Sequence, residues 1–180
     1  MSRAWDRRHV YEKRGGLGTF ASKSLLIVRV VLGVIFFAHG AQKVFGWFGG
    51  PGLRGVVGYF RQALGVPAPL TVLAALTECF GGLAMIVGFL VRPAAVGLVL
   101  VMLVAIAKVH WVNGFFINWS LEPGKGHGFE MNLALIGMAL AVLVGGAGAL
   151  SIDRWLRPWV TWPLAWNHVA CAPHIPRSAT

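Results

Sequence analysis

Residues 39–50 read HGAQKVFGWFGG and close an apolar run that begins at Leu25. They place His39, Gln42 and Lys43 on the last turns of what must be a membrane helix. His39 and Gln42 are three apart and His39 and Lys43 four apart, so the three share one helical face at about one depth. An ionisable side chain in a spanning segment costs roughly 2.5–3.5 kcal/mol at the helix centre, so such residues normally face a bundle interior and find a partner there. Glu78, the single charge of a second apolar run, is the first candidate partner. Gly81 and Gly82 lie three and four residues beyond it, on the same face, and clear space around the carboxylate. Lys108 and His110 end a third apolar run, with Asn113 just beyond, and Glu130 and Asn132 open a fourth.

Laid side by side in one bilayer, these runs bring their polar residues to one level. Four spans would not coincide in this way by chance, and a buried polar cluster is expected in which Glu78 pairs with Lys43 or with a protonated His39. Three chemistries are open to it. A histidine and a carboxylate beside lipid can bind and protonate a quinone, which needs a proton donor at each carbonyl as electrons arrive. In that reading His39 and Glu78 handle the proton, Lys43 and Lys108 are anion partners, and Gln42, His110, Asn113, Glu130 and Asn132 complete the binding residues. Two histidines and two glutamates also suggest a metal, but the sequence lacks the Glu-x-x-His pair of di-iron bundles and its lysines oppose a cation, so no metal site is expected. A proton or solute path is the third.

Each residue also has a structural reading. Lys108, with its long stem, can snorkel to the headgroups, as can Arg29 near the other end of the first run. Glu130 suits a helix N-terminus. Cys79 is a small apolar core residue, and with Cys171 it forms no CxxC, so the sequence offers no internal redox pair.

The elements that must position the cluster follow from composition and punctuation. The 180 residues are 57% hydrophobic and only 12% charged, well below the quarter usual for a soluble chain. This is an all-α membrane protein. Its net charge of +10 lies at the chain ends and beside the apolar runs rather than on a polar domain, which fits anionic lipid and not nucleic acid. Spans are expected at about residues 25–45, 70–91, 94–112 and 129–150, forming a four-transmembrane-helix bundle. The apolar part of the first is too long for a signal peptide, so it is read as a retained helix. Residues 1–24 form a basic cytoplasmic leader, residues 25–150 the membrane domain and residues 151–180 an interfacial tail. A tight turn at Arg92-Pro93 joins the second and third spans. Residues 53–64 draw as an amphipathic helix in the outer interface, and residues 111–128 as an aromatic, glycine-rich outer loop fit to be a lid. The tail carries Trp155, Trp159, Trp162 and Trp166 and reads as an inner-leaflet anchor. Lysine and arginine concentrate on the leader, Arg92 and the tail, against Arg54, Arg61 and Lys125 on the other side. Both termini are therefore expected in the cytoplasm of a bacterial plasma membrane.

Over about residues 22–153 the chain resembles the DoxX family of small four-helix membrane proteins. The resemblance is carried by Arg29, by His39-Gly40 with Gln42-Lys43 and the Phe-Gly-Trp-Phe-Gly-Gly of residues 45–50, and by Glu78 with Gly81-Gly82. It continues through Val109-His110, Asn113-Gly114-Phe115-Phe116, Phe129-Glu130 and Ser151-Ile152-Asp153. It implies a four-helix bundle and an association with redox chemistry, since relatives include a subunit of an archaeal thiosulfate:quinone oxidoreductase and membrane partners of enzymes handling thiosulfate or oxidative stress. Where relatives often have an aromatic after the glutamate of the fourth helix, this chain has Met131. The expectation is a membrane subunit of an oxidoreductase system whose cluster binds a quinone or a small sulfur substrate, in a complex with a protein partner. The main rival is a scaffold that recruits a soluble enzyme, and a small-solute or proton carrier is the third. No haem, flavin or iron-sulfur motif is visible, so such a group would come from another subunit. The oligomeric state is open.

Overall fold

The apolar runs fold into helices joined by short glycine-rich turns, in a computed structural model that describes residues 7–156, with side chains from Thr19 onward. α1 is Arg7–Val44, α2 Gly52–Leu64, α3 Ala68–Val87, α4 Val91–Ala105, α5 Glu130–Gly145 and α6 Ile152–Leu156. A single 3-10 turn, Trp47–Gly49, lies between α1 and α2. Beyond Ala105 the α4 helix continues through a π turn, Ile106–His110, and a 3-10 turn, Trp111–Asn113. Among the described residues three stretches are long and apolar enough to cross a membrane: Thr19–Val44, Ala68–Val87 and Val91–Asn113. Glu130–Gly145 is apolar but shorter, at 16 residues. The chain is thus a multi-pass helical membrane protein.

α1 packs against α3 and α5, and α4 packs against both of the latter, so the four long helices close a ring. Its core is built from Leu32 and Phe36 of α1, Met85 of α3, Leu98 and Met102 of α4, and Leu135 and Val142 of α5. Glycine sets the closest contact. A methyl carbon on Gly40 would lie 2.2 Å from the Cys79 nitrogen, and one on Gly82 would lie 2.4 Å from the Phe37 nitrogen. α1 and α3 therefore touch backbone to backbone, the close approach that small residues allow between membrane helices.

Several boundaries differ from those expected. α1 runs on into the leader as far as Arg7 rather than beginning near residue 25. The turn between α3 and α4 is not at Arg92-Pro93. It is at residues 88–90, where Gly88 and Leu90 both take left-handed backbone angles, and proline is tolerated inside the first turn of α4 because its missing N–H has no helical partner there. α5 ends at Gly145 rather than near 150, because Gly146 and Gly148 adopt positive φ. Of the tryptophan-rich tail only Trp155 lies within the described residues, on α6 and exposed; Trp159, Trp162 and Trp166 lie outside them.

Arg29 also departs from expectation. It does not snorkel: it is 0% exposed. Its Nη2 donates to the carbonyls of Leu150 at 3.0 Å and Ala149 at 3.4 Å, while Nε and Nη1 are buried without a partner among the described residues. Beside it the Asp153 carboxylate accepts from the Leu90 and Val91 N–H groups at 2.8 and 2.9 Å, capping α4, and the Asp153 N–H donates to the Gly88 carbonyl. Gly88 is glycine because any side chain there would run into the Arg29 guanidinium. Three chain segments remote in sequence are thus tied together at this end of the bundle, the turn end. The 114–129 loop closes the other, the loop end.

Candidate functional site

At the loop end the helices part around a cavity of about 370 Å³. The α1 wall brings Phe36, His39 and Lys43, which are three and four apart and so share one face. α3 contributes Glu78, α4 Met102 and Ala105, and α5 Met131, Asn132 and Leu135. Gly40, on the neighbouring face of α1, lets α3 approach until the Glu78 carboxylate reaches Lys43. The Lys43 ammonium donates to both carboxylate oxygens, at 2.6 and 2.5 Å. Glu78 is 3% exposed and Lys43 27%, so one partner is sealed in the bundle and the other faces the cavity. A pair this deep persists because each charge would be far more costly alone than together.

His110 reaches the same cavity by a different device. Met102 and Ala105 line the wall three residues apart, and in a continuous α-helix the next inward position would be Val109. The π turn adds a residue to this turn, so the inward position falls to His110, while Lys108 is exposed and outside the lining. His110 Nδ1 lies 2.8 Å from the carbonyl oxygen of His127.

His127 is a lining residue that the sequence reading missed. The signal was present in the Gly-Lys-Gly-His-Gly of residues 124–128, a titratable side chain held between glycines in a loop otherwise rich in aromatics. The loop is well tied. Gly128 and Phe129 donate to the Phe116 and Gly114 carbonyls, and Asn118, 6% exposed, bonds the backbone of Glu122 and Lys125. A methyl carbon on Gly128 would meet three carbonyl oxygens at 2.4 to 2.6 Å, so only glycine fits where the loop crosses itself.

The remaining candidates lie elsewhere. Gln42 packs its backbone and Cβ against Gly50, bracing the turn after α1. Asn113 donates to the carbonyls of Val109 and His127 at 3.2 and 3.4 Å. Glu130 accepts from the Ile117 N–H at 3.2 Å, at the start of α5. Both hold the loop without lining the cavity. Asn132 lines it and donates to the Met102 sulfur at 3.4 Å. His39, Lys43, Glu78, His110 and Asn132 therefore share one space; Gln42, Lys108, Asn113 and Glu130 do not line it. Among the described residues no three histidine, cysteine, aspartate or glutamate side chains converge closely enough to hold a metal ion.

Comparison with known proteins places this architecture. The DoxX family profile matches residues 24–111, which covers α1 from its apolar start to the end of the π turn. Inner membrane protein YqjF of Escherichia coli K12 is 30% identical over 133 residues, spanning 73% of this chain and 91% of that protein. Inner membrane protein YphA of the same organism is 29% identical over 135 residues, spanning 72% and 88%. A Bacillus subtilis protein named "Putative oxidoreductase CatD" is 31% identical over 93 residues, spanning 52% and 64%. No solved structure matches the chain. With its apolar helices and two inner-membrane homologues along most of its length, the chain is a multi-pass protein of the bacterial inner membrane.

Proposed function

Because the chain belongs to the DoxX family, we propose that it is the membrane subunit of a redox system whose loop-end cavity binds a quinone or a small sulfur substrate. The observation that carries this reading is the lining itself: an ion pair, three histidines and a set of apolar side chains around one space of about 370 Å³. That volume lies within the roughly 300–1,000 Å³ of small-molecule sites, and such sites are apolar with a few convergent polar groups. His39 and Glu78 exchange the proton, and Lys43 faces developing negative charge on the ligand. The oxidoreductase name of one relative supports the redox assignment. Electrons reach or leave the ligand through a partner protein, since the sequence carries no motif for a haem, flavin or iron-sulfur centre.

The proposed topology has four spans, with both termini in the cytoplasm and the loop end outside. It is supported by the basic leader, Arg92 and Arg154 at the turn end, and by the few basic residues at the loop end. α2, with Val56 buried and Tyr59 exposed, lies in the outer interface. A second reading, a scaffold that recruits a soluble enzyme, is favoured by the self-sufficiency of the Lys43–Glu78 pair, which needs no ligand to satisfy its charges.

Mass spectrometry of the lipids, quinones and metals that co-purify with the detergent-solubilised protein, beside Glu78→Gln prepared identically, tests the two. A stoichiometric quinone or sulfur compound held by the native chain and lost from the variant is the expected result. Retention of nothing by either protein would favour the scaffold.

A further inference from the structure

The three histidines of the cavity are not equivalent. His110 Nδ1 faces the His127 carbonyl at 2.8 Å. A carbonyl oxygen only accepts, so in the neutral ring the proton sits on Nδ1 and Nε2 remains an acceptor. Among the described residues nothing donates to that Nε2, and neither His39 nor His127 has its tautomer set in this way.

Lys43 supplies the opposite polarity. Its ammonium has three N–H groups and gives two to the Glu78 oxygens. One donor remains on a side chain that is 27% exposed, and the charge behind it is already balanced by Glu78. The cavity thus offers one fixed acceptor from the end of α4 and one donor from α1. Phe36, Met102 and Met131 line the same cavity, and the face of an aromatic ring packs well against thioether sulfur and phenyl edges.

We propose that the cavity selects the reduced, hydroxyl-bearing form of a lipophilic ring: a hydroquinone whose one hydroxyl donates to His110 Nε2 and whose other oxygen accepts from Lys43 Nζ. This rests on the reading of the cavity as a quinone-type site and adds which redox form it holds. A quinone carbonyl set against Nε2 would oppose lone pair to lone pair and leave both groups unsatisfied, which is how polar sites reject near-isosteric ligands. His110 is thus a specificity-determining residue. The π turn that carries it inward and the loop carbonyl that fixes its tautomer are parts of the same selection.

The test uses the full-length protein in lipid nanodiscs, kept anaerobic, and three probes with one ring: a short-chain hydroquinone, the matching quinone, and the hydroquinone dimethyl ether, which cannot donate. Equilibrium dialysis should show the hydroquinone binding about tenfold more tightly than either other probe, the factor that one hydrogen bond of roughly 1.4 kcal/mol supplies. His110→Asn keeps an N–H near the His127 carbonyl but has nothing at the Nε2 position, and should bind all three alike. His110→Gln returns an oxygen to that position and should recover part of the preference. Equal binding of the three probes by the native protein, or a preference that survives in His110→Asn, would overturn the selection while leaving the cavity a quinone-type site. Binding of none of them would overturn both readings.

Discussion

The Lys43–Glu78 pair decides what a substitution at this site costs. Removing one partner leaves the other charged inside the bundle, and broken buried pairs typically cost about 3–5 kcal/mol. Glu78→Gln should therefore lower the midpoint of thermal unfolding in detergent. Replacing both residues with apolar ones of similar size, Lys43→Met with Glu78→Leu, should restore most of it, because exchanging a whole buried pair for packed side chains is often neutral. A double variant as unstable as the single one would mean that the pair is held by more than mutual charge. Arg29 gives the contrasting case. Among the described residues it is enclosed with only two carbonyl bonds and two nitrogens unmet, whereas Asp153 accepts two backbone bonds and caps α4. Asp153→Ala should cost about 2–3 kcal/mol, and Arg29→Met distinctly less. Measured in the same thermal unfolding series, the reverse order would show that the guanidinium, not the carboxylate, holds the turn end together.

Between helices, the tightest constraint is the contact of α1 with α3. Any side chain at Gly40 would enter the backbone of Cys79, so Gly40→Val should cost more than the roughly 1–3 kcal/mol of ordinary overpacking, read as loss of folded protein by size-exclusion chromatography. Gly137, which faces open space, should accept the same change with little effect. Spacing alone put His39 and Lys43 on one face, as the structure has them, but added Gln42, which packs against Gly50 instead; the cost of lone charge in lipid narrowed the partner of Glu78 to Lys43 or His39, and the structure pairs it with Lys43. The register of His110 was not legible: a π turn follows from how α4 meets its neighbours, and no residue from 106 to 110 announces it. His127 depends on a loop fold, and the burial of Arg29 depends on residues 149–153 returning to it from more than a hundred positions away. Periodicity contains neither. The stop of α5 at Gly145 was marked by Gly145, Gly146 and Gly148, which the apolar run around them obscured.

For the molecule as a whole, the proposed topology can be read from outside the cell. In a Cys171→Ser background, Lys125→Cys should react with a membrane-impermeant maleimide applied to the periplasmic side, and Arg154→Cys only after the membrane is opened. Labelling in the opposite sense would invert the assignment of the cavity to the outer face. α5 adds a property of the host membrane. Sixteen residues rise about 24 Å, short of the ~30 Å hydrocarbon layer. On a four-span topology thinning of the bilayer beside α5, the helix that supplies Met131 and Asn132, is one expected way of meeting that mismatch. Lipids with shorter tails relieve it, and the thickness of the surrounding membrane thereby becomes a lever on the shape of the cavity.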